Sequence, residues 1–142
     1  MNILKITAGM KIALYVYIFI LAVIIFLANR NGTAYLLEFV GFVPFGDKIG
    51  HFLLAGIFSF LFNSIFDARE INFGLIKFLL GNVAVLTIVT VEEISQIYVS
   101  GRTFDWGDLF FDYLGIYIFG KLARITCERK TLKLKKNSVK WR

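Results

Sequence analysis

Three short stretches of this chain set groups that hold or move charge at regular spacing. They are Asp47-Lys48-x-x-His51, Glu93-x-x-Gln96, and Gly101-Arg102-x-x-Asp105-x-x-Asp108 followed by Asp112 and Gly115. On a helix, residues three and four apart share a face. Asp47 and His51 are then neighbours, with Lys48 about 100° round from Asp47. Glu93 and Gln96 pair in the same way. Asp105, Asp108, Asp112 and Gly115 step by three, four and three, which draws one narrow stripe. His51 titrates near working pH and suits general acid–base work, with Glu93 and Asp108 as further proton carriers. Its competing role is a hydrogen bond that only fixes helix packing. Lys48 and Arg102 suit an anionic substrate, Arg102 through a two-pronged guanidinium, with Gln96 beside them as a neutral donor. Asp47, Asp105 and Asp112 read as the polar network that holds these groups in place. One histidine cannot build a three-histidine zinc site, so no metal and no other cofactor is expected. A harder cation held by carboxylates is the exception the residue types leave open.

These groups need a scaffold, and composition says which kind. The chain has 142 residues, 58% of them hydrophobic and 18% charged. Soluble domains carry about 45–50% and about 25%, so this is a membrane composition with the length of one domain. The uncharged run between Lys11 and Arg30 predicts a first spanning helix near residues 10–28. It exceeds the ~7–15 apolar residues of a secretory signal, and no A-x-A pattern follows, so a retained helix is expected. The stretch AYLLEFVGFVPF, broken by Glu38, Gly41 and Pro44, reads as interfacial. A second helix is expected from about Lys48 to Phe66, then a polar turn at DAREIN. A third helix is expected to start near Phe73 and continue into EEISQ, and a fourth to run from about Asp105 to Ile125. The uncharged part of the fourth, Tyr113 to Gly120, is short for a span and must lean on partners. Asn82, Thr87 and Thr90 are expected to bond between helices, and Trp106 to anchor at the interface.

The expected fold is therefore all-α: an integral-membrane bundle of four transmembrane helices. Positive charge orients it. The N-terminus, the Asp67–Lys77 turn and the C-terminal segment hold 13 of the 16 Lys and Arg, which places both termini in the cytoplasm. The basic segment 126–142 then reads as a cytoplasmic tail at a membrane face, not as a nucleic-acid arm. The lone cysteine, Cys127, can form no internal disulfide. Seven of the ten acids, Glu38, Asp47, Glu92, Glu93, Asp105, Asp108 and Asp112, gather at or just inside the outer face. Burying an isolated carboxylate costs several kcal/mol, about 2–3 at the least, so the stripe should face the bundle interior. Arg102 is expected either to bind a ligand or to neutralise Asp105 and Asp108. Asp47, Glu93, Asp105, Asp108 and Asp112 against Lys48 and Arg102 leave three negative charges over with His51 neutral. That surplus predicts a proton held on Asp112 or Glu93, a bound cation being the other way to balance it.

The order and spacing of the three motifs on four apolar segments resemble the VanZ-like family of small bacterial membrane proteins. The resemblance covers residues 45–120 within a domain of residues 1–125. It implies a multi-pass protein of the bacterial cytoplasmic membrane, acting at the cell envelope and associated with resistance to the glycopeptide teicoplanin. It brings no agreed reaction with it. Where the family usually has asparagine between the second aspartate and the glycine, this chain has Asp112. Two functions from different classes are expected. One is binding or modification of an anionic envelope lipid or lipid-linked precursor in a polar pocket on the extracytoplasmic side. The other is a non-catalytic accessory role in which the polar network only clamps the helices.

Overall fold

The structure, a computed structural model, describes residues 3–29 and 45–139. Its elements in chain order are helix α1 (Ile3–Asn29), helix α2 (Gly46–Ile65), strands β1 (Glu70–Phe73) and β2 (Ile76–Leu79), helix α3 (Leu80–Ser95) and helix α4 (Trp106–Val139). A 3₁₀ turn, Gln96–Tyr98, extends α3. The fold is mostly helical, as expected. Three segments, Ala8–Asn29, Gly46–Ile65 and Leu80–Tyr98, are long and apolar enough to cross a membrane. Of the interfacial stretch expected over residues 34–45, residues 34–44, with Glu38 and Pro44, lie outside the described residues, as does Arg30.

Two element boundaries differ from the sequence reading. The expected polar turn and the start of the third helix are instead an antiparallel hairpin, pairing Glu70 with Leu79, Ile71 with Phe78, Asn72 with Lys77 and Phe73 with Ile76. EINFGLIKFL alternates at period two about Gly74, whose φ of +61° suits the first position of a two-residue hairpin turn. α3 therefore starts at Leu80. At the other end of the chain, α4 does not stop near Ile125 but runs through the basic segment to Val139. That segment is rich in strong helix formers, and Arg124 Nε donates to Glu128 one turn on at 2.9 Å.

α2 and α4 lie closest together, because Gly115 of α4 sits against the Phe52 carbonyl of α2, where no side chain fits. Mid-bundle, Leu14, Ala55, Phe58, Val85 and Ile116 form the apolar core. Below it a buried polar cluster ties α2 to α3, with Ser59 Oγ also 3.2 Å from the Ile116 carbonyl of α4. Asn63 Nδ2 and Ser59 Oγ both donate to Asn82 Oδ1, at 2.7 and 2.9 Å, and the Gly81 N–H donates to Asn63 Oδ1 at 3.1 Å. Without those partners, burying these amides would cost each of them a few kcal/mol. Asn82 thus bonds between helices as expected, and Thr90 does so through the Tyr113 hydroxyl at 2.7 Å. Thr87 does not; it donates to the Val83 carbonyl of its own helix. The outward faces are apolar, with Tyr15, Phe19 and Phe26 of α1 and Phe110 and Tyr117 of α4 exposed. α1 is joined to α2 by the Tyr17 hydroxyl, which donates to the Leu54 carbonyl at 2.8 Å.

Candidate functional site

The C-terminal ends of α1 and α3 and the N-terminal ends of α2 and α4 converge, and the three motifs meet there. α2 begins without a side-chain cap, after Phe45 in a left-handed conformation, and carries Asp47 in its first turn. An acid there answers the partial positive charge of the helix start. α4 begins where Asp105 caps it: Asp105 Oδ1 accepts the Gly107 N–H at 2.6 Å. The two helices run parallel, so side chains met in order along one face those met in order along the other. Lys48 meets Asp108, His51 meets Asp112, and Phe52 meets Gly115. The three-four-three stripe expected on the fourth helix is the α4 half of this ladder, apart from Asp105, which stands one residue ahead of the helix.

Lys48 is the cation that balances the stripe. Its Nζ donates to Asp105 Oδ2 at 2.5 Å and to Asp108 Oδ1, with Asp47 Oδ2 at 3.6 Å. Asp105 lies in the loop outside the apolar spans. The hydrogen bond from Lys48 holds its carboxyl below the usual carboxylate range, helped by the Gly107 N–H. His51 stands between carboxylates from two helices. Its Nδ1 lies 3.2 Å from both Asp112 oxygens, and its Nε2 lies 3.6 Å from Asp108 and 4.0 Å from Asp47. The imidazole therefore bridges an exposed acid at the mouth, Asp47, and a buried one within, Asp112.

Arg102 is placed differently from the expectation. It does not neutralise Asp105 or Asp108, because Lys48 reaches them first from α2. Arg102 Nη1 instead donates to Asn29 Oδ1 at 3.1 Å, at the end of α1, and lies 3.5 Å from Glu92 Oε1. Both contacts use one nitrogen of the fork, and among the described residues its other donors have no partner. Glu93 is fully buried, at 0% exposure. One of its oxygens accepts the Asp105 N–H at 2.9 Å and the other accepts Gln96 Nε2 at 2.7 Å. Gln96 is buried too and also donates to Glu92 at 3.2 Å. Glu93 and Gln96 thus tie the 99–105 loop to α3. Of the two carboxyls expected to hold a proton, Glu93 takes two N–H donors and Asp112 faces His51.

One ligand atom each from Asp47, His51 and Asp108 lies within 4.8 Å of the others, a spacing open to a cation. Lys48 already supplies positive charge against Asp108. Beside the ladder lies a cavity of about 150 Å³ between α1, α2 and α3. Leu21, Ile24 and Ile25 of α1, Leu54 and Phe58 of α2, and Ile88 and Val89 of α3 make its apolar wall. His51, Glu92, Arg102 and Asp112 make its polar end. Sequence reasoning missed two parts of this site. Glu92 stands among the outer acids with nothing in the sequence to assign it a role, and its position ten residues before Arg102 carries no signal. The α1 wall comes from a uniformly apolar helix, where no residue stands out from its neighbours.

Compared with protein-family models, curated proteins and solved structures, the chain matches none of them.

Proposed function

We propose that this protein is a four-span protein of the bacterial cytoplasmic membrane that binds a lipid or lipid-linked precursor at its extracytoplasmic face. The observation that carries the reading is the cavity, apolar along α1, α2 and α3 and closed at one end by His51, Glu92, Arg102 and Asp112. A site of that form suits an amphiphile, with the tail against Leu21, Ile24 and Phe58 and the head group at the polar end. An anionic head group is favoured because Arg102 keeps donors that have no partner among the described residues, and such a group competes with Glu92 for its fork. His51, between Asp108 and Asp112, is then the group placed to give a proton to that head group or take one from it. α4 supplies the fourth span, with its polar stripe turned onto α2, and the Lys and Arg at the opposite end of the bundle support cytoplasmic termini. The motif resemblance to VanZ-like proteins supports a cell-envelope setting and an association with teicoplanin resistance.

A second reading has its own observation. Lys48, Asp105, Asp108, Glu93 and Gln96 are all satisfied by one another, as they would be in a network that only clamps the bundle. One experiment separates the two. Purified wild type, Arg102→Gln and the cavity-filling Ile24→Trp are compared for thermal stability and for retention of phosphatidylglycerol against phosphatidylcholine by native mass spectrometry. The lipid-binding reading expects both variants to stay folded and to lose the preference for the anionic lipid. Folded variants that retain both lipids as the wild type does would leave the clamp as the function.

A further inference from the structure

The hairpin between α2 and α3 has two chemically different faces. Strand side chains alternate, and directly paired residues share a face. With Ile71 opposite Phe78 and Asn72 opposite Lys77, the residues Ile71, Ile76 and Phe78 lie on one side, and Glu70, Asn72 and Lys77, with Leu79 at the base, on the other. Glu70 fixes which side is which. Its Oε1 lies 2.9 Å from Arg124 Nη1, so the polar face is turned to α4 and the apolar face away from it. Leu75, at the tip, is fully exposed, and Ile76 is 60% exposed. Phe66, at the foot of the hairpin, is exposed as well.

Position and charge say what covers this surface. The Leu80 N–H donates to the Arg69 carbonyl at 2.8 Å and closes the base of the hairpin where the apolar spans of α2 and α3 end. Leu75 is five residues from the start of α3, at most about 17 Å of strand, so a hairpin leaning on its apolar face keeps its tip at that level. Arg69 and Lys77 are exposed beside that face, and Arg129, Lys133 and Lys136 are exposed on α4 beyond it. We propose that the hairpin is an interfacial anchor: its apolar face and Leu75 enter the head-group layer of the surrounding bilayer, and its basic flank binds anionic lipid heads. An apolar body ringed by Lys and Arg is the chemistry of that layer. The proposal rests on the reading of the protein as membrane-embedded, and it is independent of what fills the cavity.

The test uses the full chain with its two tryptophans replaced, Trp106→Phe and Trp141→Phe, and one new tryptophan as reporter. Leu75→Trp reads the tip, where the native side chain is fully exposed and substitution disturbs no packing. Phe19→Trp, on the exposed face of α1, reads whether the protein is in the bilayer at all. Both are reconstituted in phosphatidylcholine vesicles with and without phosphatidylglycerol, then exposed to brominated lipid or aqueous iodide. The expected result is blue-shifted emission at position 75, quenched several-fold more by brominated lipid than by iodide. Phosphatidylglycerol should deepen that quenching, and Arg69→Gln with Lys77→Gln should abolish the deepening. Quenching at position 19 with a tip open to iodide and untouched by bromine would overturn the anchor and leave the hairpin as a face for a protein partner. No bromine quenching at either position would overturn the membrane reading and the anchor together.

Discussion

Replacing Lys48 by methionine removes the charge that balances the α4 stripe while keeping most of the apolar stem. The Lys48 side chain is 20% exposed, that of Asp108 10% and that of Asp105 48%. Breaking a fully buried pair costs about 3–5 kcal/mol, because a charge is left uncompensated. The fraction of Lys48 that stays in water reduces this, and the exposed Asp105 adds little. Lys48→Met should therefore destabilise the protein by about 2–3 kcal/mol, nearly all of it through Asp108. Asp105→Asn should cost far less than Lys48→Met. Adding Asp108→Asn to Lys48→Met should restore about 1–2 kcal/mol, a coupling that a double-mutant cycle isolates. Reversible unfolding of the purified protein in bicelles, followed by circular dichroism, measures all of these. If Lys48→Met lay within about 0.5 kcal/mol of wild type, the assignment of Lys48 as the counter-charge would be wrong. The same would follow if Arg102→Gln cost more than Lys48→Met, for Arg102 would then be doing what the sequence led one to expect of it.

Gly115→Ala and Gly50→Ala gain the same helix propensity, but a methyl at Gly115 meets the Phe52 carbonyl whereas one at Gly50 meets no atom within 4 Å. Gly115→Ala should then be the less stable by about 1–3 kcal/mol in the same unfolding assay. Asp112→Asn keeps an acceptor for His51 and should stay within about 1 kcal/mol of wild type, whereas Asp112→Leu leaves His51 without that partner and should cost about 1–3 kcal/mol. With its carboxyl held below its ordinary value of 3.8, Asp105 contributes stability that is fully present above that value and is lost as pH falls through its folded-state value. A stability–pH profile should accordingly decline in the acid range below about pH 4, and Asp105→Asn should flatten part of that decline.

What was legible in the sequence follows from helical geometry and the price of burying charge. Asp108 and Asp112 had to face inward because an apolar exterior tolerates no lone carboxylate, and a helical period fixed that they do so together. The partner of the stripe was not legible. Whether Lys48 or Arg102 reaches Asp108 depends on α2 and α4 running parallel in one register, which is a property of packing between segments and not of either segment. The hairpin was hidden for a different reason. Ten largely apolar residues about Gly74 satisfy a helix pattern as well as a strand pattern, and only the glycine and the alternation on either side of it favour the turn. The role of α1 could not be read at all, because a helix that is apolar on every face gives no hint of which face lines a cavity.

The parallel pairing of α2 with α4 also sets an order of events during synthesis. Lys48 is separated from Asp105 by 57 residues, and His51 from Asp112 by 61. At about 5–20 residues per second, the ribosome needs about 3–12 s to deliver the aspartates after their partners have emerged. Each nascent chain thus passes through an interval in which α2 carries its lysine and histidine with no α4 to receive them. A chain cut short before α4 never leaves that interval: its Lys48 and His51 keep only Asp47, on their own helix, as a carboxylate partner.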